Sequence, residues 1–151
     1  MGKYASVYFS PNRHAADTVI GFIDRTTTSL DIAVYSITHD GIADAIIRAH
    51  QRGVAVRVLM DKTQAGSKYA DDEKMEAAGI PVYRDRVTGL MHHKMAISDS
   101  CAVVLGSFNW TLNADTKNME HLVIVRLKYI IEECQAEFEH LWKVNAPPLN
   151  S

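Results

Sequence analysis

The chain has 151 residues, 47% of them hydrophobic and 23% charged, with a formal net charge of −2. That length fits one domain with a real core, and the composition is ordinary for a soluble globular protein. A protein that coats nucleic acid through a general basic excess is excluded, so any phosphate binding has to come from a local basic site.

From the N-terminus, "SVYF" (Ser6–Phe9) reads as a short strand and "SPN" as a break. The start has no sustained apolar stretch of the kind a secretory signal needs. The chain as given therefore reads as cytoplasmic; a removed signal would make it periplasmic or secreted. Met1-Gly2 with Ser6 meets a loose acylation pattern that is short enough to arise by chance. Residues 13–25 carry Ala16, Val19, Ile20 and Ile23 at helical spacing. "SLDIAVYSI" (29–37) is β-rich and almost continuously apolar, as a buried strand is. "HDGIADAIIRAHQRG" predicts a helix capped by Asp40, striped by Ile42, Ala45, Ile46 and Ala49, and stopped by Gly53. "VAVRVLMD" (54–61) is another strand. "GSKYADDEKMEAAG" predicts a second helix of this kind, with its acidic run on a solvated face. "IPVYRD" is a strand, and "RDRVTG" (84–89) a loop at the mouth of whatever site follows. There Arg84 and Arg86 are candidate contacts to substrate phosphate.

Strands alternating with helices imply parallel crossovers and an α/β layer fold. Between residues 80 and 127 strands follow one another without helices, so part of the sheet is antiparallel. The expected architecture is one domain over 1–151: a mixed, largely parallel sheet with helices on both faces. A final strand "HLVIVRL" and an amphipathic helix over 128–144 complete it, before the tail "NAPPLNS". Ile130, Ile131, Cys134, Phe138, Leu141 and Trp142 form the inner face of that helix. Cys101 and Cys134 are far apart, form no CxxC pair and read as two buried thiols. No apolar run approaches the ~20 residues that span a bilayer.

The chemistry concentrates in "MHHKMAISDSCAVVLGSFNW" (91–110). If "HHKMAI" is a strand, alternation puts His92 and Lys94 on one face and His93 and Met95 on the other. The adjacent histidines then cannot chelate one metal together. The next strand returns after a turn at Asp99-Ser100 and carries Ser107 and Asn109 to its end. Gly106 permits a close backbone approach. Imidazole, ammonium, hydroxyl and carboxamide would meet in one pocket, with three of them able to donate to phosphate oxygens and the imidazole able to attack phosphorus. Trp110 follows directly and is a candidate to stack on a base, although packing is the commoner role for such a ring.

The spacing His92-x-Lys94-x4-Asp99-x6-Gly106-Ser107-x-Asn109, six identities at fixed intervals, resembles the HKD signature of the phospholipase D superfamily. "VYFSP", "SLDIAVYSIT", "RGVAVRVLMD", "GSFNWT" and "TKNMEHLVIV" extend the resemblance to most of residues 5–143, and it is closest to the small single-motif bacterial endonucleases. The resemblance implies a phospholipase D-like nuclease domain in which His92 forms a phosphohistidine, Lys94 and Asn109 bind phosphate oxygens and Ser107 lines the site. It implies that Glu120 holds the catalytic histidine by its other ring nitrogen, and Asp99, at a turn, is expected to serve structure. It also implies two motifs per active site. A chain with one motif would therefore work as a homodimer with one shared site on the two-fold axis, without a metal or other cofactor. Three functions are weighed: a nuclease cutting DNA or RNA, a phospholipid phosphodiesterase, and a non-catalytic nucleic-acid-binding module. The chain lacks the exposed amphipathic helix of an interfacial lipase, so no stable membrane association is expected. The intact His-Lys-Ser-Asn-Glu set argues against a mere binder.

Overall fold

Two stretches of the chain build the sheet by different rules, and the functional residues collect where they meet. In the computed structural model, which describes residues 3–149, the first stretch runs β1 (Ala5–Phe9), α1 (Ala15–Asp24), β2 (Ser29–Val34), α2 (Asp40–Gln51), β3 (Ala55–Met60), α3 (Asp72–Ala77) and β4 (Val82–Arg84). The second runs β5 (Lys94–Ser98), β6 (Ala102–Gly106), α4 (Leu112–Thr116), β7 (His121–Val125) and α5 (Lys128–Asn145). The acylation-like start at Met1-Gly2 and the last two residues of the tail lie outside the described residues.

The seven strands form one sheet in the order β1-β7-β6-β5-β2-β3-β4. Helical crossovers make β2, β3 and β4 parallel neighbours. β5 then pairs with β2 rather than β4, and β5, β6, β7 and β1 are linked antiparallel. The sheet is mixed, with helices on both faces, as the sequence implies. Its balance differs from the expected one: four pairings are antiparallel and two parallel. The reason is local. Asp99 and Ser100 both take positive φ (53° and 52°) in a tight turn between the paired Ser98 and Ala102, where Cys101 N donates to the Ser98 carbonyl (2.9 Å) and the strand is sent straight back. Asp99 is held there by accepting hydrogen bonds from the backbone N–H groups of Thr27 (3.0 Å), Thr28 (2.6 Å) and Ser29 (3.0 Å). It thus serves structure, as expected, by clamping the turn to the α1–β2 loop.

One face of the sheet packs on α1 and α2, with Val19, Ile23, Ile32, Val34, Ile42, Ile46 and Val58 all fully buried. The other face packs on α5, where Ile131 and Phe138 meet Ala33, Leu59, Ile97 and Val103. Each such side chain removed from water contributes about 1.5–3 kcal/mol before entropy is counted. The α5 inner face agrees with the expected stripe.

Several local expectations are corrected. His39, not Asp40, caps α2, its ring nitrogen accepting from Ile42 N at 3.4 Å. The helix expected over 66–79 shrinks to Asp72–Ala77, because the Asp72 carboxylate turns back to accept from Gly66 N (3.1 and 3.0 Å). The acidic run is consequently not all solvated: Asp71 and Asp72 are buried, and Asp72 pairs with Arg84 at 2.7 Å. A short helix, α4, interrupts the stretch read as helix-free; Thr111 caps it by accepting from Ala114 N at 3.1 Å. Cys101 is exposed on the hairpin turn rather than buried, and Cys134 is half-buried.

Candidate active site

The antiparallel half of the sheet brings three strand ends to one edge. Lys94 opens β5 opposite Val34, the last residue of β2. Ser107 and Asn109 follow the end of β6, and Glu120 precedes β7. His92, Lys94, Ser107, Asn109 and Glu120 all line one open cavity of about 730 Å³. The five residues expected to form the site are therefore together.

Close approach of β6 and β7 depends on Gly106. Its φ of 152° is one that side-chain-bearing residues rarely adopt. A Cβ there would collide with the His121 carbonyl oxygen and come within 2.9 Å of Leu122 Cα. The next residue exploits that proximity. Ser107 N donates to the His121 carbonyl (3.1 Å), Ser107 Oγ accepts from His121 N (3.1 Å), and the hydroxyl donates to the Glu120 carboxylate.

His92 is exposed, and Lys94 Nζ lies 2.8 Å from its Nδ1 and 2.8 Å from its carbonyl oxygen. An ammonium can only donate, so the ring nitrogen facing it accepts, and its lone pair is engaged by Lys94. Burial lowers the Lys94 pKa below the ordinary lysine value, and the charge of Glu120 opposes that shift. Asn109 Oδ1 is buried without a hydrogen-bond partner among the described residues. A buried polar atom left in this state costs about 1–3 kcal/mol. His93 points the other way, to Glu137 of α5 at 3.3 Å, so the alternation read from the sequence holds even though residues 92 and 93 precede the strand proper.

Glu120 takes the hydroxyl of Ser107 instead of the ring of its own His92. β6 stands between β5 and β7, so two inter-strand spacings of about 4.8 Å separate the strand ends that carry these residues. Trp110 is not available to stack on a base: it is 2% exposed, packed in the core, and its backbone bridges to Ile37. Arg84 lies on edge strand β4 and is engaged by Asp72 and Glu76. Arg86 is exposed beside Asn145 and Pro147. Neither arginine lines the cavity that His92 and Lys94 share.

Two contributors went unnoticed in the sequence. The Tyr35 ring packs against His92 with centroids 4.6 Å apart, and Lys94 Nζ sits 5.4 Å from the same ring centroid. Asp61, at the end of β3 and fully buried, accepts from Thr63 N (2.8 Å) and from Met91 N (2.8 Å), next to His92. Burial pushes the Asp61 carboxyl up, but the hydrogen bonds from Thr63 and Met91 outweigh it and hold the pKa below the ordinary value. β-Rich context at Tyr35 and a polar residue closing "VAVRVLMD" were the available signals; neither reveals which neighbour the fold supplies.

A mixed sheet between helical layers, with an HKD cavity at one edge, defines a phospholipase D-like domain. Comparison agrees. A family model described as cardiolipin synthase, PLD-like domain, matches residues 19–142. The chain belongs to the phospholipase D superfamily. It is 38% identical over 123 residues to a mitochondrial cardiolipin hydrolase of Chlamydomonas reinhardtii, covering 82% of this chain and 55% of that protein. It is 33% identical over 127 residues to a phospholipase D of Rickettsia felis, covering 84% and 64%. The chain thus spans between half and two thirds of the length of these curated relatives. Among solved structures it is similar to Nuc, a phospholipase D family member from Salmonella typhimurium, with TM-score 0.89, 29% identity and coverage of 97% and 98% of the two chains. NucT from Helicobacter pylori gives TM-score 0.86 at 26% identity, covering 92% and 95%. Among the described residues no helix is long and apolar enough to cross a membrane, and no group of three or more His, Cys, Asp or Glu is placed to hold a metal ion.

Proposed function

We propose that the chain is an endonuclease that cleaves DNA or RNA phosphodiester bonds through a phosphohistidine on His92, without a metal. The observation that carries this reading is the convergence of an exposed imidazole, an ammonium, a hydroxyl and a carboxamide on one open cavity. The preference for nucleic acid over lipid is supported by the likeness in fold to Nuc and NucT.

In the first step a His92 ring nitrogen attacks phosphorus in line, the phosphorus–oxygen bond to the leaving alkoxide breaks, and the alkoxide takes a proton. In the second, a water gives up a proton and attacks the same phosphorus, releasing the imidazole and the second product. Lys94 and the Asn109 amide neutralise charge on the non-bridging oxygens, a role in which one lost donor costs about 10²–10³ in rate. Lys94, by bridging to those oxygens, leaves its contact with His92. The proton donor and acceptor is the second chain's copy of His92 in a homodimer with one shared site. The separation of Glu120 from its own His92 fits the same reading, with Glu120 orienting the partner's histidine across the axis.

The test is cleavage of single- and double-stranded DNA, RNA and cardiolipin vesicles, each with and without excess EDTA. Nucleic-acid cleavage that survives EDTA is expected. Hydrolysis confined to cardiolipin would replace this reading with the lipid phosphodiesterase, which the names of the curated relatives favour. Strict dependence on added magnesium would remove the mechanism.

A further inference from the structure

A second groove, of about 530 Å³, is lined by Thr38, Gln64, Ser67, Tyr69, Thr111 and Leu112 together with Asn113. It is coupled to the catalytic cavity by direct contact. Gln64 Nε2 donates to the Tyr35 hydroxyl at 3.1 Å, and the Tyr35 ring packs on His92. Thr111 lies two residues after Asn109, so the other wall also continues from the catalytic edge.

The chemistry of the groove is specific. Tyr69 is 73% exposed and Leu112 59% exposed, an outlay of apolar surface at a position where nothing in the fold uses it. Lys68 Nζ stands 5.5 Å from the Tyr69 ring centroid. The remaining lining groups are uncharged: carboxamides of Gln64 and Asn113, hydroxyls of Thr38, Ser67 and Thr111. None of the lining residues is acidic. An acyl chain laid here would bury those amides and hydroxyls unpaired, at a cost. A nucleobase would instead offer a flat π-face to Tyr69 and hydrogen-bonding edges to the amides and hydroxyls, with its phosphate near Lys68. Trp110, the aromatic singled out in the sequence for this task, is buried, while the ring that faces solvent beside Thr111 and Leu112 is Tyr69.

We infer that Tyr69 is the stacking platform of a nucleobase subsite flanking the scissile phosphate of a single-stranded polynucleotide. A free π-face is available only on an unstacked base, which is why the strand is single. The inference rests on the nuclease reading and narrows it.

Tyr69 makes none of the catalytic contacts and sits in an exposed loop, so Tyr69→Ala should fold. Steady-state kinetics on a single-stranded oligonucleotide and on bis(4-nitrophenyl) phosphate, which has no base, separate the roles. For Tyr69→Ala the oligonucleotide KM should rise about tenfold with kcat little changed, in line with loss of one stacked base. Hydrolysis of the small diester should be unaffected, and Tyr69→Trp should restore the oligonucleotide KM. An unchanged KM for an oligonucleotide that the wild type cleaves would overturn the subsite alone. So would an equal loss on both substrates, which marks a disturbed catalytic cavity. A wild type that hydrolyses cardiolipin vesicles and no oligonucleotide would overturn the nuclease reading and the subsite with it.

Discussion

Two cavities of similar size lie on this sheet, and they differ in whether their charges are already answered. Toward the start of β2 and β3, a cavity of about 660 Å³ is bordered by Asp31, Arg57, Gln135 and Glu139. There the Arg57 guanidinium forks onto Asp31 (2.7 and 2.9 Å), reaches Glu139 with its other nitrogen at 3.2 Å, and lies 4.9 Å from the Phe138 ring centroid. Gln135 completes Asp31 at 2.9 Å. Those two carboxylates hold the Arg57 pKa above its already high ordinary value, against the opposing effect of burial. At the other cavity the lysine leans on an imidazole and a carbonyl oxygen, the asparagine oxygen has no partner among the described residues, and His92 is exposed. The first network joins α5 to the sheet; the second leaves polar groups exposed or without a partner. Size does not distinguish a site from a structural cluster here, and unanswered polarity does.

The largest effect expected from breaking this contrast is on turnover. His92→Ala should abolish cleavage, because it removes nucleophile and general acid together, and Lys94→Ala should cost about 10²–10³ or more in rate. Neither should move the urea midpoint appreciably, since both side chains lie outside the core. Loss of activity explained by unfolding, seen as a shifted midpoint, would contradict the assignment. Arg57→Ala should do the reverse. It strands Asp31, which is buried, and should cost about 2–3 kcal/mol in denaturant unfolding, below the ~3–5 kcal/mol of a fully buried pair because Arg57 is partly exposed. Activity per folded molecule should stay near that of the wild type.

These expectations also mark what a sequence can and cannot convey. Spacing along one strand placed His92 with Lys94 and turned His93 away, because alternation is a local property. The returning strand placed Ser107 and Asn109 at its end, Glu120 was reached through the family resemblance, and the fold brings all three to the same cavity. Tyr35 and Asp61 escaped notice because their roles depend on which strands are neighbours: β2 lies beside β5, and Asp61 beside the segment before it. The same cause explains Arg84, a loop arginine by sequence, which meets Asp72 only once β4 is laid beside β3 and α3. Trp110 misled for a different reason. An aromatic at a strand end has two common fates, and the bridge to Ile37 that buries it joins residues far apart in the chain.

A smaller effect concerns Asp99 and acid. Burial pushes its carboxyl up, but the backbone hydrogen bonds from Ser29, Thr28 and Thr27 win and hold the folded pKa below the ordinary value. A depressed carboxyl contributes stability above its unfolded pKa of about 3.9, and that contribution is lost as pH falls through the folded pKa. Asp99→Asn should therefore be less stable than wild type at pH 7, and the gap should narrow as pH drops below about 4. A gap independent of pH would show that the hydrogen-bonding shape, not the charge, matters at this turn. The smallest effect belongs to His93→Ala. Its contact with Glu137 is exposed and should contribute about 0–1 kcal/mol, with cleavage nearly unchanged. An essential His93 beside a dispensable His92 would reverse the strand phase on which the site is built.

The central claim is that two copies of His92 act on one phosphorus, and mixing chains tests it most directly. Wild-type and His92→Ala chains are unfolded together and refolded as random pairs, with exchange confirmed by a mass tag on one of them. If each pair needs both histidines, activity falls as the square of the wild-type fraction. The mixed pair is then nearly silent, because each ~1.4 kcal/mol added to the barrier is tenfold in rate and either missing role adds several. Activity falling in direct proportion to the wild-type fraction would contradict the shared site and require a proton donor within the single chain.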